Sequence, residues 1–177
     1  MKKVEVVLVI IAILLVTIAC GTTEATPEKV GTGQAGSKTA TPTAKPEVFA
    51  IGNVVKAGDI QVTINKAFDI QPTEFYSPEV GNRFIGIDAT FENVGDGTEL
   101  IDTDDFKLIG PDGYQYATSF EAEVAGDLKI VVENLLPGMK INGSAGFEIP
   151  ADQTGFRLIY KPSFTWEDIV IEFDIGY

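Results

Sequence analysis

From residue 47 onward, apolar and polar residues alternate with a period of two along several stretches of the chain. The positions placed on the inward side are Ile60, Val62 and Ile64; Ile85, Ile87, Ala89 and Phe91; Ile141, Ala145, Phe147 and Ile149; and Ile169, Ile171, Phe173 and Ile175. Such alternation is typical of strands that bury one face and expose the other to water. Turn-forming stretches separate these strands, and the whole pattern predicts an all-β sandwich over residues 47–177.

The region 115–130, QYATSFEAEVAGDLKI, follows this alternation least well. It is compatible with a long loop or with a short helix, and the sequence leaves both open. We expect it to be a connection that crosses between the two sheets.

The N-terminus has a different pattern, in which two lysines precede a largely apolar run over residues 6–19. This run is too short to span a bilayer, which takes about 20 residues, but it has the length of a signal-peptide core. The stretch VTIACG, residues 16–21, resembles the lipobox of prokaryotic lipoproteins. The resemblance implies a signal peptide over residues 1–19 and a diacylglycerol group on the sulfur of Cys20.

One position departs from the lipobox, because Thr17 stands where an aliphatic residue is usual. The alternative is an uncleaved N-terminal anchor with an incidental thiol. Under the preferred interpretation the protein is exported and held at the outer face of the cell membrane through the lipid on Cys20.

Residues 20–46 contain no aromatic residue and consist mainly of Thr, Gly, Ala, Pro and Lys. Such a segment has too little apolar surface to offset the entropy of ordering the chain. We therefore predict a disordered tether between the lipidated cysteine and the domain. GTGQAG, residues 31–36, fits the glycine pattern of dinucleotide sites, but no strand precedes it and no helical pattern follows it, so a linker is the better interpretation.

Charge is distributed unevenly along the chain. Residues 47–177 hold 8 Lys plus Arg and 23 Asp plus Glu, which gives the domain a net charge of about −15. This charge repels nucleic acids and anionic lipid surfaces and favours a cationic partner, which could be a protein, or metal ions. The alternative is that the acidity only keeps an exported protein soluble.

Four segments in a fixed order carry a family resemblance: GNRFIGIDATFENVGDGTEL (81–100), DFKLIGPDGYQY (105–116), LLPGMKINGSAGFEIP (135–150) and FRLIYKPSF (156–164). Together they resemble a family of domains of unknown function found in bacterial and archaeal lipoproteins, similar to the secreted mycobacterial immunoprotective antigen. The resemblance covers roughly residues 49–175. It implies an immunoglobulin-like β-sandwich and export, and it supplies no catalytic residues.

The residue inventory limits the possible chemistry. The chain has no histidine, which excludes Ser-His-Asp and Cys-His catalysis and histidine-bearing metal sites within it. Its single cysteine is Cys20, so no intrachain disulfide can form. We predict no enzymatic activity and no cofactor; a hydrolase that uses paired carboxylates stays a remote alternative.

Three acidic residues are the candidate metal ligands. Asp102, Asp104 and Asp105 lie within ELIDTDDF, after a glycine-rich turn. Clustered aspartates on a loop are a source of the oxygen ligands that Ca²⁺ takes, so a weak calcium site is one hypothesis. The other is a solvated loop, and the EF-hand pattern is not met because Phe106 occupies the fifth position from Asp102.

Two further stretches are candidate sites. Asn142 begins NGS, which fits the N-glycosylation pattern, but the strand alternation directs it outward and we interpret it as structural. Tyr160, Phe164 and Trp166 form an aromatic cluster that could contact a sugar or a partner, although such residues more often close the end of a sandwich core.

These observations favour a lipid-anchored extracytoplasmic lipoprotein that presents a non-catalytic β-sandwich binding or interaction module, with loops at one end of the sandwich as the contact surface. The alternative is a structural accessory lipoprotein of the cell envelope without a small ligand. A hydrolase is the remote alternative.

Overall fold

The computed structural model describes residues 28–29, 47–163 and 169–177. Its strands are β1 Glu28–Lys29, β2 Val48–Ala50, β3 Val54–Ala57, β4 Ile60–Ile70, β5 Asn82–Asn93, β6 Glu99–Asp102, β7 Phe106–Ile109, β8 Gln115–Tyr116, β9 Val132–Leu135, β10 Lys140–Pro150, β11 Arg157–Tyr160 and β12 Ile171–Asp174. Helix α1 spans Phe120–Ala125, and a 3₁₀ turn spans Thr103–Asp105. Strands β4, β5, β10 and β12 coincide with the four alternating series of the sequence.

Two five-stranded sheets form the two layers of the fold. The first sheet has the order β1-β3-β4-β5-β10 and the second has the order β2-β12-β11-β7-β8. Neighbouring strands are antiparallel, except that β2 and β12 run parallel. Strands β6 and β9 form a separate two-stranded ribbon. The all-β sandwich predicted from the alternation is therefore confirmed.

The core between the sheets is aromatic at its centre. Phe91 of β5 is fully buried, and its ring centroid lies 5.8 Å from that of Phe106 and 5.6 Å from that of Tyr160, both on the second sheet. Aromatic pairs at these distances contribute about 0.5–1.5 kcal/mol beyond their buried area. The inward orientation predicted for Phe91 is confirmed, and Tyr160 is buried as well. Phe164 and Trp166 lie outside the described residues.

The prediction that each strand keeps one face in water is wrong in the middle of the first sheet. On the side away from the main core, Ile70, Phe84 and Ala122 are buried in a second, smaller apolar cluster. Ala122 belongs to α1, so the helix covers this face of the sheet. Alternation along a single strand cannot reveal this, because the covering element lies elsewhere in the sequence.

Strand β4 contributes to both faces because a β-bulge reverses its alternation. Its pairing with β5 shifts by one residue between Ile64 and Lys66, which leaves Asn65 without a partner position on β5. Ile64 packs into the core between the sheets, whereas Ile70 belongs to the outer cluster under α1. One inserted residue moves every later side chain to the opposite face.

The region 115–130 contains a strand, a helix and a turn. Strand β8 extends the second sheet beside β7, and α1 then lies against β5 and β10 of the first sheet. The short-helix alternative is therefore the correct one, and the region does connect the two sheets.

Most of the N-terminal predictions concern residues outside the described part of the chain, namely the signal peptide 1–19, Cys20 and the glycine stretch 31–36. Within the predicted tether, Glu28–Lys29 pairs antiparallel with β3, where no regular structure was expected. In the described part of the chain no helix is long and apolar enough to cross a membrane.

Candidate functional site

Helix α1 begins at a side-chain cap and ends in a left-handed turn. The hydroxyl of Ser119 accepts a hydrogen bond from the backbone N–H of Ala122 at 3.3 Å, as expected of an N-cap serine. After the helix, Asp127 has a φ of 47°. This turn reverses the chain, and the N–H of Leu128 donates to the carbonyl of Glu123 at 3.0 Å.

The residues that lead into α1 also cover the edge of the first sheet. Thr118 forms a β-bridge with Phe147 of β10, and the N–H of Ser119 donates to the carbonyl of Gly146 at 2.8 Å. The N–H of Gly146 also lies near the carboxylate of Glu123, where it lowers the pKa of that group. Exposed edge strands invite pairing with other chains, and here the protein's own segment satisfies that edge.

Two glycines let the helix lie close to the sheet. A Cβ on Gly146 would lie 2.8 Å from the backbone nitrogen of Glu123 and 3.0 Å from the Cβ of Ala122. Gly86 is the partner of Gly146 across β5 and β10, and a Cβ there would lie 2.4 Å from the ring of Phe68. The flat outer face on which α1 and Phe68 pack therefore depends on this glycine pair.

A groove of about 410 Å³ lies beside α1, and we call it the α1 groove. The residues that line it are Phe120, Glu123, Val124, Asp127, Leu128 and Ile130. Phe120 is 65% exposed, Val124 41% and Ile130 40%. Large apolar side chains so exposed and adjacent are typical of a surface that contacts another molecule.

The apolar surface continues beyond the groove onto the loop between β4 and β5. The ring of Tyr76 meets that of Phe120 edge-on, with centroids 6.3 Å apart. The neighbouring Phe75 is 83% exposed. Aromatic residues from two segments distant in sequence thus meet at one surface, a feature that the sequence pattern did not reveal. Two features of the sequence could have indicated the helix at this surface: a serine at position 119 that can cap it, and the spacing of the apolar residues Phe120 and Val124.

Glu123 is the electrostatically perturbed residue of the α1 groove. Burial raises the pKa of its carboxyl group, the nearby backbone N–H of Gly146 lowers it, and the charge of Asp104 raises it further. Its Oε1 atom is buried and has no hydrogen-bond partner among the described residues. The carboxylate is therefore held at the groove against a desolvation penalty.

The structure directs the three candidate calcium ligands to different partners. The Oδ1 of Asp102 accepts the N–H of Asp104 at 2.8 Å and so caps the 3₁₀ turn. The Oδ1 of Asp104 accepts the hydroxyl of Thr118 at 2.8 Å. Within residues 28–29, 47–163 and 169–177, no group of three acidic or cysteine side chains is arranged to hold a metal ion. The calcium site stays a prediction, and these contacts give it no support.

Asp105, the third candidate ligand, is a buried structural residue. Its carboxylate accepts the N–H of Ser163 at 3.0 Å and also the Ser163 hydroxyl. Burial raises the pKa of Asp105, and the two hydrogen bonds from Ser163 lower it. Asp105 thus joins the 3₁₀ turn before β7 to the chain that follows β11, instead of belonging to a solvated loop.

Tyr160 places a polar atom inside the core. Its hydroxyl is buried and has no hydrogen-bond partner in the described part of the chain. Burial raises the pKa of this phenol, and the charge of Asp105 raises it further. The hydroxyl therefore stays protonated, and the residue acts as part of the aromatic core.

Asn142 is exposed on β10, as the alternation predicted. Its Oδ1 accepts the hydroxyl of Thr90 at 2.9 Å, and Thr90 also accepts a hydrogen bond from Asn65 at 3.0 Å. These residues form a polar ladder across three strands, which is consistent with a structural role for Asn142.

Solved structures with the same fold come from several bacteria. The yjhA protein from Bacillus subtilis matches with a TM-score of 0.56 and 21% identity, over 72% of this chain and 99% of that one. The candidate lipoprotein ycdA from Bacillus subtilis matches with a TM-score of 0.54 and 17% identity, over 69% of this chain and 38% of that one. This chain thus spans less than two fifths of ycdA. At these identities the likeness shows the fold alone.

A third structure is the secreted protein MPT63 from Mycobacterium tuberculosis, with a TM-score of 0.46 and 15% identity over 67% of this chain and 83% of that one. No curated protein matches the sequence. The sequence profile of the domain of unknown function DUF4352 matches residues 49–171. This match covers the β-sandwich from β2 to the start of β12, and the chain belongs to the DUF4352 family.

Proposed function

We propose that this chain is an exported, lipid-anchored lipoprotein whose β-sandwich is a non-catalytic module that binds a polypeptide partner. The observation that carries the binding role is the exposed apolar surface of the α1 groove, with Phe120 at its mouth. Contiguous exposed apolar side chains rimmed by polar residues mark surfaces that bind other molecules.

The lipid anchor is supported by the lipobox-like sequence that ends at Cys20. The fold likeness to a candidate lipoprotein agrees with it. In this interpretation residues 20–46 hold the domain clear of the bilayer. With flexible-chain statistics an unpaired segment of this length has an r.m.s. reach of about 25–30 Å, and the eight residues before β1 reach about 15 Å when Glu28–Lys29 pairs with β3.

Cys20→Ala tests the anchor. Wild-type protein should incorporate labelled fatty acid and partition with membranes, whereas the variant should lose the label and be processed differently. Equal labelling of the two proteins would contradict the assignment.

Site-specific photocrosslinking tests the binding role. A photoreactive phenylalanine analogue at Phe120 keeps an aromatic ring at the mouth of the groove. The matched control carries it at Tyr114, which is 70% exposed but does not line the groove. In cells that make the full chain, we expect a discrete crosslinked polypeptide at position 120 and none at position 114. The same products at both positions, or none at position 120, would contradict a polypeptide-binding groove.

A further inference from the structure

Two carboxylates of the α1 groove, those of Asp127 and Glu123, lie where the local structure disfavours a negatively charged side chain. Asp127 is in the left-handed backbone region at the end of α1, where glycine or asparagine is usual. An acidic group near a helix C-terminus also lies in an unfavourable peptide-dipole field, which favours cations. Glu123 has a buried oxygen without a partner among the described residues. Residues that break local rules are expected at functional sites.

The segment around the groove carries an excess of negative charge. Between Ser119 and Glu133 the acidic residues are Glu121, Glu123, Asp127 and Glu133, and the basic residue is Lys129. Lys129 does not line the groove, whereas Glu123 and Asp127 do. A cationic group is therefore attracted at long range by the acidic domain and at short range by two lining carboxylates.

The apolar walls of the groove determine what else the ligand must contain besides a positive charge. Its volume of about 410 Å³ lies within the range of ligand clefts. Phe120, Val124 and Ile130 provide exposed hydrocarbon walls. A bare metal ion or a fully polar cation would leave those walls in water, so the fitting ligand combines an apolar group with a positive charge.

We propose that the α1 groove binds a polypeptide segment that presents an aliphatic or aromatic side chain next to lysine or arginine. The apolar side chain packs against Phe120, Val124 and Ile130, and the cation pairs with Glu123 and Asp127. This inference rests on the proposed polypeptide-binding function and adds the chemistry of the partner. An anionic membrane surface is disfavoured as the occupant, because the lining carboxylates repel it.

The test uses the full chain in detergent and a short fluorescent peptide with a central Phe-Leu pair flanked by lysines. One comparison peptide has glutamate in place of each lysine, and another has Ser-Ser in place of Phe-Leu. The protein variants are Phe120→Ser and the double variant Glu123→Gln/Asp127→Asn. The matched control is Asp96→Asn/Asp152→Asn, which removes the same charge from exposed positions outside the groove.

We expect the lysine peptide to bind and both comparison peptides to bind more weakly. The double groove variant should weaken binding about three- to tenfold, as for the loss of two ion pairs on a partly exposed surface. Phe120→Ser should weaken it by about tenfold or more, because Phe120 is the aromatic side chain of the groove lining. The control variant should bind nearly as wild type.

Other outcomes of the peptide-binding test would contradict the proposed charge preference, the groove assignment or both proposals. If Phe120→Ser abolishes binding but the lysine and glutamate peptides bind equally, the groove binds polypeptides and the proposed charge preference is wrong. If the control variant loses as much affinity as the groove variant, the attraction is a general effect of the acidic surface and the groove assignment is wrong. If no peptide binds, or if Phe120-dependent binding occurs instead to phosphatidylcholine–phosphatidylglycerol vesicles, both proposals are overturned.

Discussion

Gly146 and Glu123 are so close that a Cβ on Gly146 would lie 2.8 Å from the backbone nitrogen of Glu123. The N–H of Gly146 also lies near the Glu123 carboxylate and favours its charged form. One glycine of β10 therefore both makes room for α1 and lowers the pKa of a carboxylate on that helix. The α1 groove depends on this contact, because the helix that supplies Phe120 and Val124 can reach its position only over a residue without a side chain.

Gly146→Ala should displace α1 from the sheet. Inserting a methyl group into a closely packed site typically destabilises a protein by about 1–3 kcal/mol, and we expect a loss in this range from urea unfolding. The matched control is Gly97→Ala, where the nearest atom to an added Cβ would be the Oε1 of Glu99 at 3.9 Å. Similar losses in the two variants would show that close packing under α1 is not the cause.

Glu123→Gln should change how stability depends on pH. Because burial raises the pKa of Glu123 in the folded state, the native protein keeps a proton that the unfolded chain has already lost. Stability from this group is present at low pH and falls as pH rises through the raised pKa. Glutamine keeps an oxygen for the Gly146 N–H but carries no charge, so the variant should exceed wild type at neutral pH and match it in acid.

Urea unfolding at a series of pH values measures this difference. Glu121→Gln is the matched control, since it removes a charge from an exposed position of the same helix. A difference between Glu123→Gln and wild type that does not narrow on acidification would mean that the Glu123 carboxylate is not held against desolvation.

Phe91→Ala should be severely destabilising. The variant empties a fully buried site that contacts Phe106 and Tyr160 across the sandwich. Removing a buried phenylalanine costs about 3–5 kcal/mol. Phe75→Ala serves as the control, because that ring is 83% exposed and a surface change is usually within about 0.5 kcal/mol. Equal thermal stability of Phe91→Ala and wild type would contradict the strand register.

Calcium should have little specific effect on the acidic turn. Ca²⁺ binding would compete with the hydrogen bond that the Oδ1 of Asp104 accepts from Thr118 and with those that Asp105 accepts from Ser163. We therefore expect about 1 mM Ca²⁺, a concentration typical of weak extracellular sites, to shift the melting temperature no more than NaCl of equal ionic strength. A Ca²⁺-specific rise that Asp102→Asn/Asp104→Asn loses would instead support the calcium site predicted from the sequence.

The pairing of Glu28–Lys29 with β3 should protect that edge from solvent. Proline has no N–H and is poorly tolerated within a paired strand, so Glu28→Pro/Lys29→Pro should speed amide hydrogen exchange over residues 54–57. Ser37→Pro/Lys38→Pro is the control within the same predicted tether. Unchanged exchange in the first variant would show that the pairing is not populated in solution.

The sequence alone determined strands β4, β5, β10 and β12 and the direction of most of their core side chains. Period-two alternation is a local property, since successive residues of a strand point to opposite faces whatever the strand packs against. For this reason the inward positions of Ile85, Ile87 and Phe91 could be predicted before any contact was known. The absence of histidine likewise limited the chemistry without reference to the fold.

Only the tertiary structure decided which outer faces are also buried and where a binding surface forms. Gly86 and Gly146 lie 60 positions apart in the sequence yet are partners across two strands, and the helix that covers them comes from a third segment. Asp105 also depends on a distant segment. An aspartate in an acidic stretch is expected to be exposed to solvent, but the carboxylate of Asp105 is buried and accepts hydrogen bonds from Ser163. The α1 groove combines residues of a helix and the turn after it, and its polar and apolar members become neighbours only when the helix docks. Contacts between distant segments depend on packing and desolvation, which a one-dimensional pattern does not record.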